Sequence, residues 1–333
     1  MNSVGIDISK GRSTIAVMRP FGEIVISPFE VRHTDSELSE LARRLKSLNG
    51  ETRVVMEATG NYHAPVAKLL HDAGLYVSVV NAKLVHGYGN NDLRRVKTDR
   101  KDAVKLANYG LDRWLTLSRY IPEEDTRLLL KNCYRQYRQY SKVQTVLKNN
   151  LISLLDMTFP NANRLFVSPA RADGSEKWVD FVAEFWHCEC VSERSLKSFV
   201  NKYWRWCRKH GYNFSEEKAH AIYDEASGHI GVMPKSETTK LLVEQAVSQL
   251  SATSAALAAL KQEMQSLSSQ LPEYPVVMGM FGVGPILGPQ LIAEIGDVRR
   301  FYSKKALVAY AGIDAPPNDS GDVIGRHKSM SKV

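Results

Sequence analysis

The chain has 333 residues, with 44 Lys and Arg against 36 Asp and Glu, for a net charge of +8. That length is enough for two or three domains with a large core, and the positive balance favours polyanionic partners, either nucleic acid or an anionic membrane surface. No apolar run reaches a membrane span, no secretion signal precedes the first strand pattern, and four cysteines are too few for a disulfide framework, so a reduced, cytoplasmic protein is expected.

In chain order, Val4-Gly5-Ile6-Asp7-Ile8 reads as a first strand. Residues 13–18 and 23–29 read as the second and third, turned by Pro20-Phe21-Gly22 into an antiparallel meander. Thr34 or Asp35 then caps a helix with the stripe Leu38, Leu41, Ala42, Leu45 and Leu48. Arg53-Val54-Val55-Met56-Glu57 is a fourth strand. Val66, Leu69 and Leu70 mark a helix ended near Gly74, and residues 75–80 form another buried strand.

Two long helices follow. Residues 123–157 carry Leu129, Cys133, Gln136, Tyr140, Val143, Leu147 and Leu154 at 3/4 spacing. Residues 237–271 carry Val243, Leu250, Leu257, Met264 and Leu271 seven apart, with Ala246, Thr253, Leu260 and Leu267 between them. This heptad pattern predicts a coiled coil, formed within one chain or across subunits. An aromatic-rich insert lies between, with one helix marked by Trp178, Phe181, Val182 and Phe185 and another by Leu196, Phe199, Val200, Tyr203, Trp204 and Cys207. After Pro272 comes a small helical unit with Phe281-Gly282-Val283-Gly284-Pro285, a helix over 286–295, and the loop Ala315-Pro316-Pro317-Asn318-Asp319-Ser320-Gly321. The expected divisions are an α/β domain over 1–115, coiled-coil helices over 120–158 and 237–271, the insert over 159–236 and a C-terminal domain over 272–333.

Four carboxylates stand out. Asp7 and Glu57 end strands, and Asp99 and Asp102 are three apart, on one face of a helix. Converging carboxylates raise one another's pKa unless a cation neutralises them, and a hard divalent ion suits oxygen donors: Mg²⁺, with Mn²⁺ as the alternative. The plainer reading is helix capping by acidic residues. Gly282 and Gly284 before a helix let backbone N–H groups approach phosphate, or make only a tight turn. Basic and aromatic residues interleave at Lys131, Tyr134, Arg135, Tyr137, Arg138, Tyr140 and Lys142. They do so again at Lys202, Tyr203, Trp204, Arg205, Trp206, Arg208, Lys209 and His210. The cations suit nucleic acid, while Tyr140 and Trp204 fall on apolar stripes. His187, Cys188, Glu189 and Cys190, with Cys207 and His210, are zinc-type donors, although buried free cysteine is commoner. Ser320, on its own residues, is a turn serine.

Gly5-Ile6-Asp7, Met56-Glu57-Ala58-Thr59-Gly60 and Lys97-Thr98-Asp99-Arg100-Lys101-Asp102-Ala103 resemble the N-terminal motifs of the DEDD transposases of bacterial insertion sequences. The Piv-type DNA invertases belong to the same family, whose N-terminal domain is similar to the RuvC junction resolvase. Gly282-Val283-Gly284-Pro285, Ala293-Glu294-Ile295-Gly296-Asp297, Ala311-Gly312-Ile313-Asp314 and Asp319-Ser320-Gly321 resemble the family's second domain. The resemblance takes in nearly the whole chain except the insert.

It implies a ribonuclease-H-like (RuvC-like) α/β fold followed by mainly helical parts. It also implies Mg²⁺ on Asp7, Glu57, Asp99 and Asp102, and Ser320 as a nucleophile forming a phosphoserine link to DNA, with Ser329 and Ser331 as weaker candidates. Arg326 and Lys328 would stabilise the transition state, and Lys97, Arg100 and Lys101 would meet nucleic acid. The implied partners are donor and target DNA duplexes, a non-coding bridge RNA as guide, and further copies of the chain in a dimer or tetramer, near the nucleoid and without a membrane. Relatives continue past Ser331-Lys332 into further helix, so a shortened member or a truncated chain is expected.

Four rivals remain. A hydrolytic junction resolvase would need the carboxylates and not Ser320, and an invertase would need no guide RNA. A sugar-kinase-like ATPase also opens on Gly5-Ile6-Asp7 but would need a second phosphate loop, which is not found in the sequence. An RNA-binding scaffold would not need the intact acidic set.

Overall fold

The computed structural model describes residues 1–88 and 98–314, and beyond them only the backbone of 319–320 and 323–324. The chain divides into two compact units, 1–123 and 124–333.

In the first unit, β1 (Asn2–Ser9), β2 (Arg12–Arg19) and β3 (Glu23–Arg32) form the expected meander. Then follow α1 (Asp35–Lys46), β4 (Thr52–Glu57), α2 (His63–Asp72), β5 (Tyr76–Val80), α3 (Ala82–Gly87) and α4 (Asp99–Asp112). The sheet order is β3-β2-β1-β4-β5, with β4 and β5 parallel to β1 and β2 and β3 antiparallel. An antiparallel meander continued by parallel crossovers is the ribonuclease-H-like arrangement. Strand alternation sorts the side chains by face. Val4, Ile6, Val54, Met56 and Val77 are buried with Leu38, Leu41, Leu45, Val66 and Leu70 of α1 and α2. Val55 and Val80 are buried on the opposite face with Leu106 and Tyr109 of α4. The unit runs past residue 115, because Trp114 and Leu117 are buried, Tyr76 Oη donates to the Leu117 carbonyl (2.6 Å), and Tyr120 N donates to the Val77 carbonyl (2.7 Å).

The second unit is built on a pair of long helices, α5 (Asp125–Thr158) and, after the insert, α10 (Glu237–Ser269). The insert contributes α6 (Lys177–Glu184), α7 (Glu189–Ser192), α8 (Leu196–His210) and α9 (Glu216–Gly228). α5 and α10 pack against each other within the chain. The heptad residues Val243, Leu250, Leu257 and Met264 of α10 are buried, as the sequence predicts. On α5 the expected stripe is corrected: Leu129, Tyr140 and Val143 are exposed, while Leu130, Leu151 and Leu155 are buried. The seam of α5 is partly polar, with Gln144 Nε2 donating to Ser254 Oγ of α10 (2.8 Å), which disguises it in an apolar scan.

The insert packs an aromatic core, including Phe159, Phe181, Phe185, Phe199, Tyr203 and Trp206, against Leu151, Leu155, Val243 and Leu250 of the helix pair. In α8 the structure exchanges two tryptophans relative to the expectation. Trp206 is buried and Trp204 is 41 % exposed. At the other end of the pair, α11 (Tyr274–Met278) joins Leu130, Met264 and Leu267 through Tyr274 and Val277, and α12 (Leu287–Ile295) through Ile292 and Ala293. Arg127, 6 % exposed, forks onto Glu273 there, with the second of its two bonds at 3.0 Å. α13 (Lys304–Tyr310) follows, and β6 (Asp319–Ser320) pairs antiparallel with β7 (Val323–Ile324). Among the described residues no helix is long and apolar enough to cross a membrane.

Candidate active site

Asp7 and Glu57 are delivered by register. Gly5 lies opposite Val55 and Ile6 opposite Met56 on parallel strands, so the next residues, Asp7 and Glu57, are neighbours. Adjacent strands lie about 4.8 Å apart, and residues in register share a face. That face is the one covered by α4, because Gly5 and Val55 meet α4 there.

Two glycines let α4 come down onto the sheet. A Cβ on Gly5 would stand 2.0 Å from the Ala103 carbonyl oxygen and 2.4 Å from the Ala107 nitrogen. A Cβ on Gly110 would stand 2.3 Å from Ser3 Oγ and 2.8 Å from Val55 Cγ2. The helix therefore runs antiparallel to β1, with its end over Ser3 and its start toward Asp7. Thr98 caps that start by accepting from Lys101 N (3.3 Å), and Asp99 and Asp102 occupy the first turn, where the helix dipole favours carboxylates.

Three elements thus bring all four acids to the C-terminal edge of the sheet. Asp7, Glu57 and Asp102 are half-buried and Asp99 is exposed. The donor set, all carboxylate oxygen, suits a hard divalent cation. The backbone gathers the four acids, yet their side chains do not form a coordination sphere. Among the described residues no three Asp, Glu, His or Cys side chains are close enough to hold one ion.

One titratable residue close to Glu57 in the chain escaped the sequence reading. His63 opens α2 six residues after Glu57, and burial pushes its imidazole pKa down while the backbone of Thr59 and Gly60 pulls it up. The available signal was a histidine at the start of the helix that follows an acid-tipped strand.

Arg100 and Lys101 flank the acids and are exposed, while Lys97 lies outside the described residues. Ser320 has only its backbone described, in the two-residue strand β6; Arg326, Lys328, Ser329 and Ser331 lie outside the described residues. In the α11–α12 turn Gly282 adopts φ +79°, a conformation glycine takes without strain, and the Gly284 carbonyl accepts a helix-type bond from Gly288 N (2.9 Å). Arg135, Arg138 and Lys142, at i, i+3 and i+7, are exposed along one face of α5. Arg205, Arg208 and Lys209 are exposed on α8.

Of the zinc-type donors, His187 is otherwise engaged. His187 is buried, with Nε2 donating to the Met233 carbonyl (3.0 Å) and Nδ1 accepting from Glu189 N (3.2 Å). Neither ring nitrogen has a lone pair left for a metal. Burial raises the Cys190 and Cys207 thiol pKa values, which lowers their reactivity.

A transposase family profile of the DEDD, IS110 type matches residues 4–160, and a profile of the transposase IS116/IS110/IS902 family matches residues 274–333. The uncharacterized 44.8 kDa protein of insertion element IS116 from Streptomyces clavuligerus is 24 % identical over 326 residues, 97 % of this chain and 78 % of that protein. The pilin gene-inverting protein of Moraxella bovis is 28 % identical over 134 residues, 40 % of this chain and 38 % of that protein. Among solved structures, Thermus thermophilus RuvC aligns with 36 % of this chain and 100 % of its own, at 16 % identity and a TM-score of 0.25. The same resolvase in complex with a Holliday junction substrate aligns with 36 % of this chain and 99 % of its own, at 13 % identity and a TM-score of 0.27.

Proposed function

The chain belongs to the IS110-type DEDD transposases and is a DNA recombinase, and from that premise we propose that it cuts and rejoins DNA with a serine nucleophile and a four-carboxylate metal site, guided by a structured RNA. The observation that carries the site is the register of Asp7 against Glu57 with the first turn of α4 held over the same edge by Gly5. Asp7, Glu57, Asp99 and Asp102 would hold Mg²⁺. When bound, the ion supplies Lewis-acid stabilisation of phosphoryl oxygens.

Ser320 is the proposed nucleophile. Its Oγ forms a bond to the phosphorus of a DNA phosphodiester, the DNA oxygen leaves with a proton, and a phosphoserine ester remains. One phosphoester replaces another, so rejoining needs no external energy source. Arg326 and Lys328 would offset charge on the pentavalent transition state. The exposed cations Arg135, Arg138 and Lys142 supply a face for nucleic acid, and Gly282 and Gly284 supply backbone N–H groups for phosphate. Two duplexes require several active sites, which favours a homo-oligomer.

The test is to denature the protein after incubation with labelled cognate DNA and Mg²⁺. A protein–DNA adduct is expected from the parent and is expected to be absent in Ser320→Ala. Asp7→Asn and Asp102→Asn should cripple cleavage while keeping the fold. DNA cut without an adduct at any time would establish the hydrolytic resolvase instead. Sequencing the copurified RNA should find one dominant species; none, or a random mixture, would leave a protein-only recombinase.

A further inference from the structure

The insert contains a cavity of about 510 Å³ beside α8, lined by Glu184, Arg194, Ser198, Asn201, Lys202 and Arg205, with Trp206 and Lys209 completing it. Four of these residues are cations and one is an acid. The acid is already engaged, since Glu184 Oε1 lies 3.4 Å from Lys202 Nζ. Lys202 is fixed further by the Phe185 ring, 4.8 Å from its nitrogen. Arg194, Arg205 and Lys209 are exposed and form no ion pair among the described residues, so three like charges face one cavity whose single acid is committed to Lys202. The helix behind them, Leu196–His210, carries Lys197, Lys202, Arg205, Arg208 and Lys209 and no acidic residue.

Cations at the end of a helix also answer its dipole, and that accounts for Arg208 and Lys209. It does not account for Arg194, which precedes α8, or for the convergence of Arg194, Lys202 and Arg205 on one cavity. From Ser198 to Lys209 the lining follows the helix for about 16 Å at 1.5 Å per residue, far longer than a single phosphate ion. Ser198 and Asn201 add neutral hydrogen-bond donors along that length. The aromatic floor, Trp206, is 2 % exposed and cannot stack with a base. The exposed tryptophan, Trp204, is not among the lining residues and carries Arg208 over its ring at 5.2 Å. A cavity with available cations and hydrogen-bond donors but no accessible aromatic face suits backbone phosphates and not bases.

We infer that this cavity in the insert is a phosphodiester-backbone seat for nucleic acid, separate from the site at the sheet edge and independent of base sequence. It goes beyond the catalytic reading and stands whether or not the guide-RNA proposal holds, because duplex DNA presents the same phosphate chemistry.

The experiment measures fluorescence anisotropy of the full chain with a labelled RNA hairpin and, separately, a labelled DNA duplex, across a salt series. The cavity variant is Arg205→Gln with Lys209→Gln. The control, Lys197→Gln with Lys261→Gln, removes equal charge from exposed residues outside the cavity. Each phosphate that is no longer neutralised lowers the slope of log K against log salt by about 0.7–0.9, so the cavity variant, which removes two cations, should be shallower by about 1.4–1.8 in slope. Its affinity near 0.15 M salt should fall about tenfold or more, with the control unchanged. Weakening on the RNA alone identifies RNA as the occupant, weakening on the duplex alone identifies DNA, and weakening on both identifies the shared backbone. If the control weakens binding as much, or the cavity variant keeps the parent slope on both probes, the cavity is not a site. Equal melting temperatures of the two variants check that the helix is intact.

Discussion

Gly5→Ala places one methyl group at the point where α4 meets β1. The added carbon would stand 2.0 Å from the Ala103 carbonyl oxygen and 2.4 Å from the Ala107 nitrogen, against an ordinary contact of 3.4 Å or more. Both neighbours are backbone, so no side chain can swing away, and the helix must lift by about 1–1.5 Å. Overpacking a tight core costs about 1–3 kcal/mol, and the upper end applies where backbone is the obstacle. For a unit of this size about 3 kcal/mol lowers the melting temperature by roughly 10 °C. The helix carries Asp99 and Asp102 with it, and a displacement of about 1 Å in a catalytic group costs roughly 100-fold in rate. Calorimetry of the full chain and cleavage of cognate DNA measure the two effects. Gly87→Ala, where a Cβ meets nothing within 4 Å, is the neutral control. A Gly5→Ala protein that melts and cleaves like the parent would refute the packing of α4 on β1 and, with it, the site built on that packing.

Breaking the buried Arg127–Glu273 fork by Arg127→Ala should cost about 3–5 kcal/mol, since an uncompensated carboxylate is left half-buried. Hydrogen bonding from Arg127 holds the Glu273 carboxyl below its ordinary range, so the stability it contributes is present above the unfolded carboxyl pKa and is lost as pH falls through the folded one. Glu273→Gln should therefore flatten the acid limb of a melting-temperature profile, and an unchanged limb would discount the fork. Phe21 is fully exposed at φ +67° beside Gly22 at φ +82°, the backbone of a tight hairpin turn that Asn fits better. Phe21→Asn should stabilise the hairpin by about 1 kcal/mol, read as slower hydrogen exchange in β2 and β3, and faster exchange would count against the turn assignment. With both nitrogens of His187 already bonded, a zinc chelator should leave the melting temperature of the full chain unchanged, whereas a fall would mean that His187, Cys188 or Cys190 holds metal.

The first unit was legible because its signals are local. Alternation in Val4, Ile6 and Ile8 and the stripe Leu38, Leu41, Ala42 and Leu45 each describe one element burying one face. The heptad of α10 was legible for the same reason. α9 was not. Its buried residues are Ala219, Ile222 and Ala226, and small residues leave a weak apolar period. The face of α5 was misread because its seam mixes Tyr134, Tyr137 and Gln144 with the leucines, so hydrophobicity alone favoured Leu129, Tyr140 and Val143. Trp204 and Trp206 are two residues apart, about 200° around a helix, and one helix stripe admits only one of them. The sequence offered no basis for choosing Trp206 until Phe166, Phe181 and Tyr212 could be seen ringed around it.

The candidate site divides in the same way. Glycine in Gly5-Ile6-Asp7 could be recognised as part of a motif, but its physical reason is an approach to Ala103 and Ala107, far along the chain. That approach is what turns four scattered acids into one edge. The cavity beside α8 follows the opposite logic. Its cations were visible as composition, yet composition cannot separate Arg205 and Lys209, which share a cavity, from Arg208, which lies over Trp204. Nor could it add Arg194, which belongs to no helix and joins the others only when the turn before α8 folds back. A helix that presents five cations and no acid scatters charge around its axis, and only the packing of the buried stripe Phe199, Tyr203 and Trp206 decides which of those cations face the same space. Charge in a sequence therefore reports the class of partner, while the place where that partner binds is set by which face the apolar residues have already claimed.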